Sequence, residues 1–460
     1  MRHSLRSIDI PLFVTIMFIV TVFVLGGGSR HDITSLALLR PISVVALTYA
    51  ALVITRDQLN ELKVLWVVAV LAISMVAFHI LPLPPAIWML LPNRELAQIV
   101  GQAVGIEQPW RPISLVPYRT FNTLFSLFVP VAVLALMTKL TKKQQYLVLP
   151  PLIIMGLISA LIGVLQLTGP PGGLFYFYKI TNDGSPVGLF SNRNHHSTFL
   201  ACCIPLLTAL VYAPNKLSAS RQKFLTLSAI FCGMLFFMVI LVSGSRSGIL
   251  LGLLGLFSVL LITGHGVGAK QLRVRRWSSV AILGVSAVFI FLSTWFARSE
   301  SLSRITRFDS NEELRFLVWS PIFDAAVKYF PVGSGFGTFE EVYKVDEPSN
   351  LLSFTYLNHA HNDWLEIVLT GGLPAILLAM VCIIGWCVAA FQLFSKFEPN
   401  RNNGIIFGRL GVIVIFLLGV ASIADYPLRT PSLSVLLVIS AAWIINGLST
   451  KMQSAVITAR

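Results

Sequence analysis

Residues 357–388, LNHAHNDWLEIVLTGGLPAILLAMVCIIGWCV, decide how this chain folds. Leu357 to Glu366 hold two histidines, two asparagines and two acids. After Glu366 no charged residue occurs until Lys396. An uncharged apolar run of that length crosses a bilayer as a helix, so a polar cluster sits at the mouth of a membrane span. The expected helix, 363–392, exceeds one bilayer thickness and has to tilt or protrude.

Similar runs recur from end to end. The chain has 460 residues, of which 55% are hydrophobic and 12% charged, against roughly a quarter charged in soluble domains. The fold class expected is an all-α integral membrane protein with about 12 transmembrane helices, near 8–26, 34–54, 63–82, 120–139, 146–167, 195–213, 224–242, 247–263, 277–296, 363–392, 405–423 and 432–449. One membrane domain results: nine spans in 1–297, a loop of about 60 residues with short helices in 298–362, and three spans in 363–460. The run from Ile8 to Leu25, behind Arg2 and Arg6, reads as the first span, not as a cleaved leader. Cys202, Cys203, Cys232, Cys382 and Cys387 all fall in apolar runs without metal-ligand spacing, and read as packed small hydrophobes.

The net charge of +14 would suggest nucleic acid in a soluble protein. Here it points to basic cytoplasmic loops and an anionic ligand, and to no nucleic acid. The clusters Lys139/Lys142/Lys143, Lys216/Arg221/Lys223, Lys270/Arg273/Arg275/Arg276 and Lys396/Arg401/Arg409 separate alternate pairs of spans, so all fall on one side, the cytoplasm, with both termini. The longer segments 83–118, 168–194 and 298–362 fall on the other side, and 298–362 carries nine of the twenty acids. In it Ser310-Asn311-Glu312-Glu313 is a capping-box pattern. The helix it opens is expected to be interrupted near Pro321 and to end at Pro331, with Leu314, Leu317, Val318, Ile322 and Phe323 on one apolar face. Gly333-Ser334-Gly335-Phe336-Gly337 reads as a flexible turn, and Trp88 and Trp110 as interfacial anchors.

Four polar clusters share the non-cytoplasmic face: Phe190 to His196, Ser243 to Gly248, the segment around His361, and Asp425 to Pro431. Arg193 is either a snorkelling interfacial arginine or, flanked by Asn192 and Asn194, a ligand contact. Arg246 lies in a turn so short that it sits at or below the interface, where an arginine lines a cavity or meets an anion; Ser245 adds a hydroxyl beside it. Arg429 either pairs with Asp425 or contacts ligand, and Arg315 either faces substrate or pairs with a nearby acid. His359, His361, Asp363 and Glu366 offer metal-ligand atoms, but no Asp-x-Asp or His-Glu-x-x-His occurs. A histidine base beside arginines that hold an anion fits better. His195 and His196 read as local hydrogen-bonding residues. Arginine forks grip phosphates and remain charged, so the constellation suits transfer with a phosphate or pyrophosphate leaving group on a membrane lipid.

At Gly244-Ser245-Arg246-Ser247-Gly248, the Arg315-to-Trp319 stretch running to Pro331–Phe339, His359-Ala360-His361-Asn362-Asp363-Trp364-Leu365-Glu366 with Gly371-Gly372-Leu373, and Asp425-Tyr426-Pro427-Leu428-Arg429, the sequence resembles the bacterial O-antigen ligase and polymerase superfamily. The likeness covers about residues 185–435, and the first five spans contribute little to it. The resemblance implies a GT-C-type, metal-independent, inverting glycosyltransferase of the bacterial inner membrane without cofactor, its active site facing the periplasm. The implied donor is a glycan on undecaprenyl pyrophosphate. The implied acceptor is the lipid A-core of lipopolysaccharide in a ligase, or a second lipid-linked glycan in a polymerase. Carried over by motif, His361 activates the acceptor hydroxyl, His359 assists, Arg193 and Arg246 hold the pyrophosphate, and Asn194 and Asn362 support them. Ligase is the first reading, since members with arginine at this position are more often ligases; polymerase is the alternative. A transporter or an assembly partner for polysaccharide export is more distant, because the polar clusters lie on one face instead of through the bundle.

Overall fold

The computed structural model describes residues 9–106, 108–213, 217–263, 317–352, 356–395 and 402–458. The described chain is almost wholly helical, with one two-residue antiparallel strand pair, Pro82–Leu83 with Arg111–Pro112. The helices used below are α1 (Ile10–Leu25), α2 (Leu36–Val53), α3 (Lys63–Phe78), α4 (Pro117–Ser126), α5 (Phe128–Lys139), α6 (Leu149–Thr168), α7 (Arg193–Tyr212), α8 (Ala219–Val242), α9 (Arg246–Thr263), α10 (Trp319–Tyr329), α11 (Phe339–Asp346), α12 (Asp363–Phe394), α13 (Asn403–Ala424) and α14 (Pro431–Thr458).

Among the described residues eight helices are long and apolar enough to cross a membrane, α4 and α5 counting as one. Shorter apolar helices stand at three more expected positions, α1, α3 and α9. The remaining expected span, 277–296, lies outside the described residues, as does Arg315.

The bundle is built around α7, which packs against α6, α8, α9 and α13 and buries every residue from Asn194 to Ala209. Lipid tails are as apolar as leucine, so close approach of backbones holds such helices together more than apolar burial does. The α13–α14 crossing shows this. A methyl group placed on Gly408 would lie 3.0 Å from the Gly447 Cα, and one on Gly411 2.3 Å from the Ser440 carbonyl. Arg409, expected in a basic loop, is buried in α13 and donates from Nε to the Leu393 carbonyl at 2.9 Å. Cys382 and Cys387 are exposed on α12 and not packed as expected, whereas Cys202 and Cys203 are buried.

The extramembrane segment folds onto the start of α12. Val318, Ile322, Ala325, Ala326, Phe339 and Tyr343 form a small core with Ala360 and Leu369. Helical structure breaks at Val318 and resumes at Trp319, and Pro321 stands in the first turn of α10, where its missing N–H costs no hydrogen bond. The apolar face differs from the expected one, since Leu317 and Phe323 are exposed. Trp88 also departs from expectation: it is buried and donates to the Pro109 carbonyl at 2.9 Å, while Trp110 stays exposed.

The 333–337 turn is not flexible. Ser334 and Gly335 donate to the carbonyls of Leu369 and Thr370 at 3.0 and 2.9 Å, and the Ser334 carbonyl accepts from Leu115 at 2.9 Å. In this turn the amides of Gly333, Ser334 and Gly335 are therefore committed to carbonyls. Opposite it, Gly372 breaks α12 with φ 58 and ψ −154, and a side chain there would meet the Pro331 carbonyl at 2.3 Å. Gly372→Ala is expected to cost about 2–4 kcal/mol, combining backbone strain and the clash, read as a lowered unfolding midpoint in detergent.

Candidate active site

The starts of α7, α9, α12 and α14 and the end of α13 meet at one end of the bundle. At the other end Lys139 reaches the Val53 carbonyl at 2.7 Å and Asn446 reaches Gln145 at 2.6 Å. All four polar clusters foreseen in the sequence therefore share one end, and direct contacts join them.

Asn362 caps α12, its Oδ1 accepting from the Leu365 amide at 3.0 Å. That cap places Asp363 and Glu366 in the first turn, three residues apart and on one face. Arg429 spans both, Nε to Asp363 Oδ1 at 3.1 Å and a terminal nitrogen to Glu366 Oε1 at 3.2 Å. Ser422 donates to the other Asp363 oxygen at 3.2 Å. Glu366 is fully buried and also accepts from His359 Nδ1 at 3.0 Å and the Ala360 amide at 3.0 Å. With Nδ1–H given to the carboxylate, the His359 Nε2 lone pair is available to a substrate proton.

Asp425, at the end of α13, is the second hub. Its Oδ2 accepts from Asn194 Nδ2 at 2.7 Å, and its Oδ1 accepts from the Tyr426 amide at 2.9 Å and lies 3.5 Å from His361 Nδ1 and 3.7 Å from His195 Nε2. Asn194 in turn accepts from Ser245 Oγ at 2.7 Å. The Tyr426 ring touches three imidazoles, with centroids 4.4 Å from His359, 4.9 Å from His361 and 5.2 Å from His195. His361 has φ 48, a left-handed conformation uncommon outside glycine and stored most often at functional sites.

Burial alone would push the Asp425 carboxyl up, but the His195 and His361 imidazoles beside it hold it well below its ordinary 3.8. A carboxyl depressed on folding stabilises the native state above its unfolded value, and that stability is lost only as pH falls through the folded value. Asp425→Asn is therefore expected to lower the unfolding midpoint at pH 7 and equally at pH 5. The gap should close only well below pH 4. A gap that vanished by pH 5 would contradict this arrangement.

Asn194, Ser245, His359, His361 and Arg429 are thus brought together. Arg193 and Arg246 occupy the half-buried positions next to Asn194 and Ser245, at the first residues of α7 and α9. Helix N-termini carry partial positive charge, so this corner favours an anion twice over. Asn362, expected as a supporting residue, caps α12. Two expectations need correction. Arg429 pairs with Asp363 and Glu366, not Asp425. His195 belongs to the cluster, while His196 is a local contact, its Nδ1 2.7 Å from the Pro186 carbonyl. Sequence reasoning missed Glu366 and Asp425 as the carboxylates behind the imidazoles, although both stand in the quoted motifs. It also missed Arg119 of α4, which reaches His31 and binds Glu340 and Glu341 at 2.9 and 2.8 Å; nothing in its neighbourhood marks it.

An all-helical protein of several apolar spans, carrying carboxylate-backed histidines and arginines at one end, belongs among multi-pass membrane proteins. Residues 231–380 match the family model described as O-antigen ligase, which supports membership of the O-antigen ligase family. The match holds Arg246, His359, His361 and Glu366 and stops short of Asp425 and Arg429. No curated protein matches the chain. The match supports, at a coarse level, a ligase- or polymerase-like enzyme acting on lipid-linked glycans.

Proposed function

We propose that this protein is an O-antigen ligase of the bacterial inner membrane. It transfers a glycan from undecaprenyl pyrophosphate to a sugar hydroxyl of lipid A-core, with inversion and without a metal. The bundle has about twelve spans of GT-C type, with the active site at the periplasmic face and both termini in the cytoplasm. The observation that carries this reading is the convergence of two carboxylate-backed imidazoles, His359 on Glu366 at 3.0 Å and His361 beside Asp425 at 3.5 Å, at the helix starts that bear Arg193 and Arg246.

In this reading His361 takes the proton of the acceptor hydroxyl, and His359 orients that hydroxyl. The oxygen attacks the donor's anomeric carbon from the face opposite the pyrophosphate. One carbon–oxygen bond forms as the bond to phosphate breaks, and the electron pair leaves on the pyrophosphate. Arg193, Arg246 and the two helix N-termini stabilise the charge developing there. Asp425 and Glu366 hold the two rings and favour the imidazolium. Both carboxylates are occupied by protein donors, so their part is to position and not to accept substrate protons.

A polymerase would use the same corner with a second lipid-linked glycan as acceptor. Purified protein given undecaprenyl-pyrophosphate glycan, with and without lipid A-core, separates the two. Product only with lipid A-core means ligase, longer lipid-linked chains without it mean polymerase, and no transfer in either case overturns the proposal.

A further inference from the structure

A cavity of about 210 Å³ opens beside the candidate active site. Its walls include His359 and Arg429 but, among the described residues, none of Arg193, Asn194, Arg246 or His361. The rest of its lining comes largely from the first half of the chain: Arg30 and His31 in the α1–α2 turn, and Arg119, Asn122 and Ser126 on α4.

The charges on these walls are already balanced. Arg30 binds Asp32 at 3.0 Å, Arg119 binds Glu340 and Glu341 at 2.9 and 2.8 Å, and Arg429 binds Asp363 and Glu366 at 3.1 and 3.2 Å. Burial and the Arg119 charge push the His31 imidazole below its ordinary range, which disfavours its charged form. A pyrophosphate there would have to displace a carboxylate from one of these arginines. A hydroxyl-rich ring would find the amides of Asn122 and Asn358, several hydroxyls and two imidazoles, the polar lining that fixes a small ligand's orientation.

The membrane side of the same wall has its own arginine. Arg40 of α2 donates to Asn122 Oδ1 at 2.7 Å and Ser126 Oγ at 3.0 Å. An arginine within a spanning helix is costly and by default marks a ligand path. Arg40 also borders an open apolar concavity of about 370 Å³, lined by Leu36, Pro41, Val44, Phe125 and Phe128. The polar cavity and the apolar concavity therefore lie on two sides of the α4–α5 stretch and meet at Arg40, whose partners Asn122 and Ser126 line the first and which itself lines the second.

Resting on the proposed transferase reading, we propose that this cavity is the acceptor subsite. It seats the sugar that receives the glycan, and the acceptor's acyl chain leaves past Arg40 over the α2–α4 concavity. The donor occupies the Arg193–Arg246 corner, so the two substrates reach the histidines from different sides. The N-terminal half of the chain, outside the matched family segment, then sets acceptor specificity.

The test uses the full-length protein in detergent, with lipid A-core as acceptor and the same core oligosaccharide freed of lipid A as its soluble counterpart. Binding of each is measured without donor, and transfer is measured with it. Asn122→Ala is expected to weaken lipid A-core binding and raise its KM about tenfold, one hydrogen bond's worth, with the donor KM unchanged. Ser126→Trp, which fills the cavity, should raise the acceptor KM at least about a hundredfold. Val44→Trp should weaken binding of lipid A-core and leave the lipid-free oligosaccharide untouched. Unfolding midpoints identify a variant that has merely failed to fold, and Asn122→Ala, which removes the least, then decides. A raised donor KM with acceptor binding intact would make this the donor's lipid path and overturn the proposal, as would no change in either. Absence of transfer by the unmutated protein would sink the transferase reading, while acceptor binding without donor still reads the cavity.

Discussion

His361→Ala is expected to cut glycan transfer by roughly a thousandfold or more, the scale of a lost general base, while leaving the protein folded and inserted. The ring is mostly enclosed and lies 3.5 Å from Asp425 Oδ1 and 4.9 Å from the Tyr426 ring, at the helix ends and outside the spans. The residue occupies φ 48, so alanine adds backbone strain of about 1 kcal/mol. His361→Asn tolerates that conformation and lacks the base, and is therefore the cleaner variant. It should be as inactive as alanine with an unfolding midpoint nearer the parent's. His361→Gln separates two roles. If it transfers normally, the imidazole orients the hydroxyl and takes no proton. If Ala, Asn and Gln all retained full transfer in a strain lacking the parent enzyme, His361 would have no part in the reaction.

Glu366→Gln is expected to be nearly as destabilising as Glu366→Ala, despite preserving shape. The carboxylate is fully buried and accepts from His359 Nδ1, the Ala360 amide and Arg429. An amide offers one acceptor oxygen where two were used, and turns a second N–H group toward donors. Removing one partner of a buried ion pair costs about 3–5 kcal/mol, a large part of a typical folding stability of about 5–15 kcal/mol. Both variants should therefore express poorly or melt far earlier in detergent. Asp363 sits on the same arginine but has fewer donors, so Asp363→Asn should be milder. A Glu366→Gln protein that melted with the parent would show the carboxylate to be dispensable to the fold.

The spans were legible because a bilayer imposes length and apolarity on every crossing, and helices stand at the described expected positions. The four polar clusters were legible as neighbours because alternating basic loops restricted which helix ends share a side. Their pairing was not. Arg429 has Asp425 four residues before it, the nearer candidate in sequence, yet it reaches Asp363 and Glu366 because the turn Pro427–Arg429 carries it across to the start of α12. The glycine-rich 333–337 turn reads as flexible by composition but is held by Leu115, Leu369 and Thr370. Nothing in the sequence around Arg119 marks it, and only the folding of α11 over α4 brings Glu340 and Glu341 to it.

What the sequence determined by itself was a membrane bundle with its polar residues gathered at one end, because the costs of placing charge and unpaired backbone in lipid are paid residue by residue along the chain. Only the tertiary structure decided which carboxylate backs which histidine, and that a cavity built from the first half of the chain opens beside His359. His359 and Glu366 stand only seven positions apart, but the other contacts join residues tens to hundreds of positions apart, where the partner is selected by how helix ends pack, which no local pattern of charge or hydropathy records.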